Sequence, residues 1–435
     1  MPRIILGRAD DLRSSKVIHE TAALTAVPAG MERIVKYNPA TLELVGELDS
    51  TPLNDIPLIL QRSRAAQAEW AARPLAERRR TLKRLQEHVA SNVDSIAKVV
   101  CQETGKPRVE AINADLMTSL SAAMYSVERM PSLFRPRAVG FGKLSIMMRY
   151  LRRHSYIQPR PLGVVAIIAP WNYPFGIPFS QAVMAVAAGN AVVLKPSPEA
   201  PFTGLEVQKA FIAAGAPEGL VQVVIGNGSD AGNALASSDV DRVIFTGSTE
   251  VGRKVMAAAV QRLNPVTMEL GGKDPMVVMG DADLPRASAA AAWGCYVNAG
   301  QTCACIKRIY VHESVYQPFL EMFSESVSRI KLGYGWDDPE VGMGPLISDR
   351  AVKDMEAQVA RAVEQGGTVL FGGRRTDMKG HFFEPTAIVD VEQSSDIVQK
   401  ETFGPIVAIL RFRTDEEAIA LANDSSYALS GSVWT

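Results

Sequence analysis

The feature that most constrains this chain is a series of short apolar runs between residues 163 and 245, each closed by a turn. Gly163 to Ala169 (GVVAIIA) ends in Pro170-Trp171-Asn172-Tyr173-Pro174. Ala191 to Leu194 ends at Lys195-Pro196, Val221 to Ile225 at Gly226, and Arg242 to Phe245 at Thr246-Gly247-Ser248. Helical stretches lie between them, at about Phe179 to Ala188, Gly204 to Ala214 and Glu250 to Gln261. Apolar runs without alternation are strands buried on both faces, and such strands joined by helices build a parallel sheet. In these sheets ligands collect at the carboxyl ends of the strands. The turns named above all lie at those ends.

The same rhythm restarts after Glu269. Pro275 to Met279 reads as a strand, Leu284 to Asn298 as a helix and Arg308 to Val311 as a strand. Helices follow near Val315 to Ile330 and Ala351 to Gln365, giving a second α/β unit. Ahead of the first sheet, residues 1–30 show no periodicity. Ile56 to Asn92 is helical, and its cluster Arg78, Arg79, Arg80 and Lys83 reads as a solvated face. A second helical stretch, Val93 to Met130, is interrupted at Gly105 and Pro107. Then Pro131, Pro136, Gly140 and Gly142 break helices. The mixed run LSIMMRYLRR reads as a strand pair projecting from the body, serving as an oligomer-forming hairpin or linker in preference to a basic amphipathic membrane contact. The expected division is 1–139 with 161–269, a projecting 140–160, and 270–435.

Composition removes several functions. Lys plus Arg is 46 and Asp plus Glu is 47, so there is no basic excess for nucleic acid. No run of about 18 apolar residues spans a membrane, and the opening MPRIILGRADDLRSS lacks a secretory signal's apolar region. Cysteine is confined to Cys101, Cys295, Cys303 and Cys305, too few for a disulfide scaffold; the expected compartment is the cytoplasm. The histidines are far apart, and no metal site is expected.

Three residues bear chemistry, and each leaves two readings open. Cys303, in Asn298-Ala299-Gly300-Gln301-Thr302-Cys303, is a nucleophile if its thiolate is favoured or exposed, and otherwise an inert buried thiol. Glu269 lies at the seam between the α/β units, before Leu270-Gly271-Gly272-Lys273. It activates a water, or it is a surface or ion-paired glutamate. Asn172 donates to an oxyanion, or it shapes a turn. Two glycine loops are equally open. Gly226 to Gly232 misses the G-x-G-x-x-G spacing by one residue, and Thr246-Gly247-Ser248 with Gly252 is an anion site or an ordinary helix cap.

The combination is more informative than its parts. In order come Asn38-Pro39-Ala40-Thr41, Glu103-Thr104-Gly105-Lys106-Pro107, Pro170-Trp171-Asn172-Tyr173-Pro174, Lys195-Pro196-Ser197, Phe245-Thr246-Gly247-Ser248, Glu269-Leu270-Gly271-Gly272-Lys273, Gly300-Gln301-Thr302-Cys303 and Glu401-Thr402-Phe403-Gly404-Pro405. With these segments the chain resembles the aldehyde dehydrogenase superfamily from about Tyr37 onward. The resemblance implies an α/β fold: a Rossmann-like parallel-sheet cofactor part (1–139 and 161–269), an oligomerisation hairpin (140–160) and an α/β catalytic part (270–435). It implies NAD or NADP as cofactor and an aldehyde as substrate. By position, Cys303 matches the nucleophile, Glu269 the general base and Asn172 the oxyanion donor, with the Cys303 N–H. Trp171, Lys195, Ser197, Gly228, Gly247, Ser248, Gly252, Glu401 and Phe403 match the cofactor site. Lys195 would hold the adenosine ribose, Gly247 and Ser248 the pyrophosphate, and Glu401 the nicotinamide ribose.

The chain departs from the pattern in places. Relatives continue for several dozen residues beyond the position of Thr435, so the chain reads as C-terminally incomplete, with a homodimer or homotetramer expected when the tail is present. NAD-preferring members carry Glu three residues after the ribose lysine, where this chain has Pro198 followed by Glu199. Cys305 is expected in the pocket wall, or as a disulfide partner of Cys303. Met117 to Tyr125, Phe175 and the neighbours of Cys303 are expected to line the substrate pocket. The alternative functions are a CoA-acylating dehydrogenase and an inactive truncated family member.

Overall fold

The apolar runs fold as parallel strands in the computed structural model, which describes residues 32–336 and 338–435; the lead-in expected at 1–30 lies outside the described residues. The first sheet has five strands, in the order Val221–Val223, Ala191–Lys195, Val164–Ile168, Arg242–Thr246 and Val266–Glu269. Every pairing is parallel. Val164–Ile168 and Ala191–Lys195 are buried at every position, as runs without a polar face require. The helices Gly176–Ala187, Pro201–Ala213 and Thr249–Val260 start and stop within a few residues of the sequence expectation.

A second, six-stranded sheet follows the order Thr368–Phe371, Thr386–Val389, Ile406–Phe412, Ile306–His312, Asp274–Val278 and Ser432–Trp434. Only its first pair is antiparallel. The two sheets have separate cores, one running from Ile56 to Ala259 and the other from Met276 to Ala418.

The arginine-rich helix Leu75–Ser91 corrects one expectation. Of the cluster Arg78, Arg79, Arg80 and Lys83, the last two are exposed as expected, whereas Arg78 and Arg79 are partly buried and donate to the carbonyls of Ala187 and Val127 at 3.3 and 2.9 Å. The second contact has a clear cause. Pro131 lies inside the helix Thr118–Leu133 rather than ending it. Its missing N–H leaves the carbonyl of Val127, four residues back, without a partner. The Arg79 Nε supplies the replacement, so a proline that ought to break the helix is tolerated.

The run LSIMMRYLRR is not a strand pair. Ser145–Tyr150 is a short helix, and the antiparallel pairing is confined to Arg137–Ala138 with Tyr156–Ile157. Adjacent Gly140 and Gly142 make the turn into this helix, and period-2 alternation is absent from the run, so no strand forms there. A further element was invisible to periodicity: Ala111–Met117 is a π-helix joined to Thr118–Leu133.

Candidate active site

The first sheet's strand order reverses beside Val164–Ile168. From that strand the chain moves to Ala191–Lys195 on one side, then returns to Arg242–Thr246 on the other. Such a switch point leaves a crevice beyond the strand ends. A cavity of about 270 Å³ lies there, lined by Pro170, Trp171, Asn172, Thr246, Gly247, Ser248, Leu270, Gly271, Cys303, Glu401 and Phe403. Residues as far apart in sequence as Pro170 and Phe403 thus share one space, because the segments around Cys303 and Glu401 reach it from the second sheet.

Cys303 is delivered by an unusual backbone. After the helix Leu284–Tyr296, three successive residues, Asn298, Ala299 and Gly300, take left-handed φ values of 54, 53 and 69°. Glycine does this freely and asparagine readily; for alanine it costs roughly 1–2 kcal/mol. Hydrogen bonds hold the turn in that shape. The buried Gln301 donates to the Asn298 carbonyl at 3.0 Å and accepts from the Ile347 N–H at 2.9 Å. The Asn298 amide donates to the carbonyls of Asn172 and Gln301 at 3.0 and 3.2 Å. Asn172 itself donates to the Gln301 carbonyl at 3.1 Å, and the Tyr173 and Thr302 hydroxyls lie 2.6 Å apart. The two loops carrying Asn172 and Cys303 are therefore stitched to each other.

Beneath Asn172 lies a buried ion pair that sequence reasoning missed. Lys106 Nζ sits 2.8 Å from Asp115, with side-chain exposures of 1% and 0%. Lys106 also donates to the Asn172 carbonyl at 2.6 Å and lies 4.4 Å from the Tyr173 ring centroid. Asp115, carried by the π-helix, accepts from the N–H groups of Phe175 and Gly176 at 3.1 and 2.9 Å. The motif Glu103-Thr104-Gly105-Lys106-Pro107 was the available signal, but its cation had no assigned task.

Burial pushes the Cys303 thiol up, while the N–H groups of Ala304 and Cys303 itself pull it back. Burial likewise raises Glu401, against the Gly272 N–H and the cations Lys273 and Lys307. Trp171 and Phe403 meet edge to face at 5.6 Å between centroids. Glu269 ends its strand with an exposed side chain, just outside the cavity lining; its carbonyl accepts from the Gly247 N–H at 3.0 Å.

The remaining candidates divide. Ser248 caps Thr249–Val260, accepting from the Val251 N–H at 3.3 Å. Behind Gly247 the Phe245 ring, and behind Gly252 the Leu270 and Phe245 side chains, fill the space a Cβ would take, so a side chain at either position would have to displace them. Lys195 is 2% exposed, has no hydrogen-bond or ion-pair partner among the described residues, and is lowered to about 8 by burial. Ser197 accepts from the Glu199 N–H at 3.2 Å. Lys195, Ser197, Gly228 and Gly252 stand outside the cavity lining. A helix N-terminus, a glycine turn and a buried ammonium without a counterion suit a group bearing phosphates and hydroxyls.

Two expectations need correcting. Cys305 does not line the cavity: it is buried with its thiol on the carbonyls of Gly294 and Cys295, and it is a free cysteine, as is Cys303. Phe175 is fully buried and stacked on Phe179 at 4.9 Å, so it belongs to the core. An apolar residue beside a functional turn fits pocket or core equally well by sequence.

The family model for the aldehyde dehydrogenase family matches residues 27–435. The chain belongs to the aldehyde dehydrogenase family. Among curated relatives, 3,6-anhydro-alpha-L-galactose dehydrogenase of Vibrio sp. (strain EJY3) is 36% identical over 404 residues, covering 92% of this chain and 82% of the relative. The NADP-dependent succinate-semialdehyde dehydrogenase of Escherichia coli is 34% identical, with 92% and 81% covered. An aldehyde dehydrogenase from Bacillus cereus solved with NAD+ superposes with a TM-score of 0.88 at 32% identity, over 93% of this chain and 81% of that one. This aldehyde dehydrogenase is an oxidoreductase that uses NAD or NADP. Among its described residues no helix is long and apolar enough to cross a membrane.

Proposed function

We propose that this enzyme oxidises an uncharged aldehyde to its carboxylate through a thioester on Cys303. The observation that carries the reading is the shared cavity of Cys303 and Asn172, whose loops are hydrogen-bonded together. The Cys303 Sγ adds to the aldehyde carbon. The Asn172 amide and the Cys303 N–H donate to the resulting oxyanion, each worth about 3–4 kcal/mol. The bound nicotinamide supplies the hydride acceptor. Glu269 then deprotonates the water that cleaves the acyl–sulfur bond. That base favours hydrolysis over acyl transfer to CoA. Lys195, Ser197, Gly228, Gly247, Ser248, Gly252, Trp171, Glu401 and Phe403 are proposed to hold the dinucleotide.

A second cavity, of about 580 Å³, supports the choice of substrate. Thr302 and Ala304, the neighbours of Cys303, form part of its wall with Asn113, Tyr173, Trp293, Val297, Ile306 and Trp434. Among the described residues no lysine or arginine lines it, and Asp274 is the one charged residue that does. A carboxylate tail would meet no counterion there and would face an acid. The helix Met117 to Tyr125 contributes Thr118 alone to the lining. The test is formation of reduced nicotinamide with a panel of aldehydes. An uncharged aldehyde should exceed succinate semialdehyde in kcat/KM, and the reverse order would refute the substrate class; turnover that requires CoA would refute the hydrolytic route.

Three coarser proposals accompany this one. The separate cores support a cofactor-binding part (1–139 and 161–269) and a catalytic part (270–435). Resemblance supports a homodimer or homotetramer, and the sparse free cysteines support a cytoplasmic location.

A further inference from the structure

Two buried lysines hold the Glu401 loop, and neither has a part in the proposed catalytic cycle. Lys273, 1% exposed, donates to the Thr402 hydroxyl at 2.9 Å, and that hydroxyl donates to Gln358 at 2.9 Å. Lys307, also 1% exposed, is the second residue of the strand Ile306–His312, just past Cys303. Its Nζ donates to the Gly300 carbonyl at 2.9 Å and to the Gly404 carbonyl at 2.5 Å. Gly300 is the last left-handed residue of the turn that delivers Cys303, and Gly404 follows Phe403 in the Glu401 loop. One ammonium thus bridges the nucleophile's segment and the segment proposed to hold the nicotinamide ribose.

The partners of Lys307 are informative. A buried ammonium is costly unless its N–H groups are satisfied, and both of these acceptors are peptide carbonyls rather than carboxylates. The cause is how closely two backbones meet. A Cβ on Gly300 would come within 2.2 Å of the Gly404 oxygen and 2.8 Å of Lys307 Nζ. Segments in such contact bring the negative ends of two carbonyl dipoles to one place. A cation with several N–H donors relieves that repulsion, and the lysine ammonium has three.

We propose that Lys307 is a positioning residue for the reaction, its ammonium acting as a tethered cation that clips the nucleophile turn to the Glu401 loop. The inference rests on the proposed roles of Cys303 and Glu401. With the clip in place, the grip of Glu401 on the cofactor is kept in register with the Cys303 sulfur. Without it, two buried carbonyls face one space with no donor between them, and the segments part. Lys273 is no substitute, because its hydrogen bond ends on a side chain of the Glu401 loop and does not reach the nucleophile turn.

The test uses three variants of the whole enzyme. Lys307→Met should lower kcat on the order of tenfold to a hundredfold and weaken cofactor binding, read by tryptophan fluorescence, with a smaller change in KM for the aldehyde. Lys307→Gln keeps an N–H donor and should lose less. In Lys307→Ala without cofactor, hydrogen exchange of the Gly300 and Glu401 segments should quicken together. Propylammonium, which matches the deleted atoms, should slow that exchange again and restore cofactor binding, whereas sodium at equal concentration should not. These rescue readings need no aldehyde, with which the amine would condense. Wild-type kcat in Lys307→Met, or unaltered exchange in the two segments of Lys307→Ala, would overturn the proposal. So would a lowered melting temperature with exchange quickened throughout the chain and no rescue, which would make Lys307 a core residue only. Should Lys307→Met fail to fold, Lys307→Gln and the amine rescue of Lys307→Ala decide. Turnover surviving in Cys303→Ala would instead remove the nucleophile, and the exchange and binding readings would still judge the clip.

Discussion

Replacing Lys106 by methionine isolates what the buried ion pair does for the loop above it. Methionine keeps much of the side-chain length and removes the charge. Asp115 would then be a fully buried carboxylate without its counterion, still accepting from the Phe175 and Gly176 N–H groups at 3.1 and 2.9 Å. Removing one partner of a buried pair costs about 3–5 kcal/mol. With an unfolding entropy of about 2.1 cal/mol/K per residue, a chain of 435 residues unfolding as one unit loses about 0.9 kcal/mol per degree. The melting temperature should therefore fall by about 3–6 °C. The Asn172 carbonyl would keep its bond from Asn298 and lose the 2.6 Å one from Lys106. Loosening of the proposed oxyanion donor should lower kcat by about tenfold or more, with a smaller change in KM. Scanning fluorimetry and steady-state kinetics measure both. A variant that melts within about one degree of wild type and keeps its kcat would show that the pair neither stabilises the chain nor positions Asn172.

Cys303→Ala should abolish turnover while cofactor still quenches tryptophan fluorescence; residual activity above a trace would move the nucleophile elsewhere. Glu269→Gln should release one burst of reduced nicotinamide and stall, and steady turnover near wild type would remove Glu269 as the base. NADP should be used at least as well as NAD. Pro198 carries no carboxylate, and Glu199 is engaged by the buried Lys36 at 2.8 Å, so it is not free to repel a 2′-phosphate. Preference for NAD by about a hundredfold, roughly 2.7 kcal/mol, would contradict this, and Lys36→Met should shift preference toward NAD. Glu103 is raised to about 7 by burial, against hydrogen bonds from Thr203 and Phe202. A carboxyl raised on folding contributes stability that is complete below about 4.5 and is lost as pH rises through about 7. Glu103→Gln should therefore reduce the fall in melting temperature across that window, and an unchanged slope would disprove the contribution.

The first sheet was legible because its strands are apolar on both faces and are punctuated by turns. Those turns also carried Asn172, Lys195 and Ser248, so the strand ends of the candidate site could be placed. Periodicity failed where backbone geometry is set by distant partners. Ala111–Met117 forms a π-helix whose Asp115 partners Lys106 and a loop sixty residues on, and no local pattern encodes that. Arg78 and Arg79 look solvated because their acceptors are carbonyls on other helices. Phe175 and Cys305 were misplaced for a related reason: the inward direction at a turn depends on the elements packed behind it.

Between the two sheets the chain passes through Gly271-Gly272, where the Glu401 carboxylate occupies the room a Cβ would need on the first and the Cys303 carbonyl does so on the second. The separation of the two halves is therefore gauged by missing atoms. A methyl group on Gly272 would be a wedge against the Cys303 carbonyl, driving the nucleophile's segment away from the strand end that carries Glu269, whereas one on Gly271 would meet only the movable end of the Glu401 side chain. Side chains along the cavities can be exchanged without altering that spacing, whereas a change at this step alters the aperture itself. An enzyme built this way can diversify its walls while keeping its reacting groups at one fixed gap.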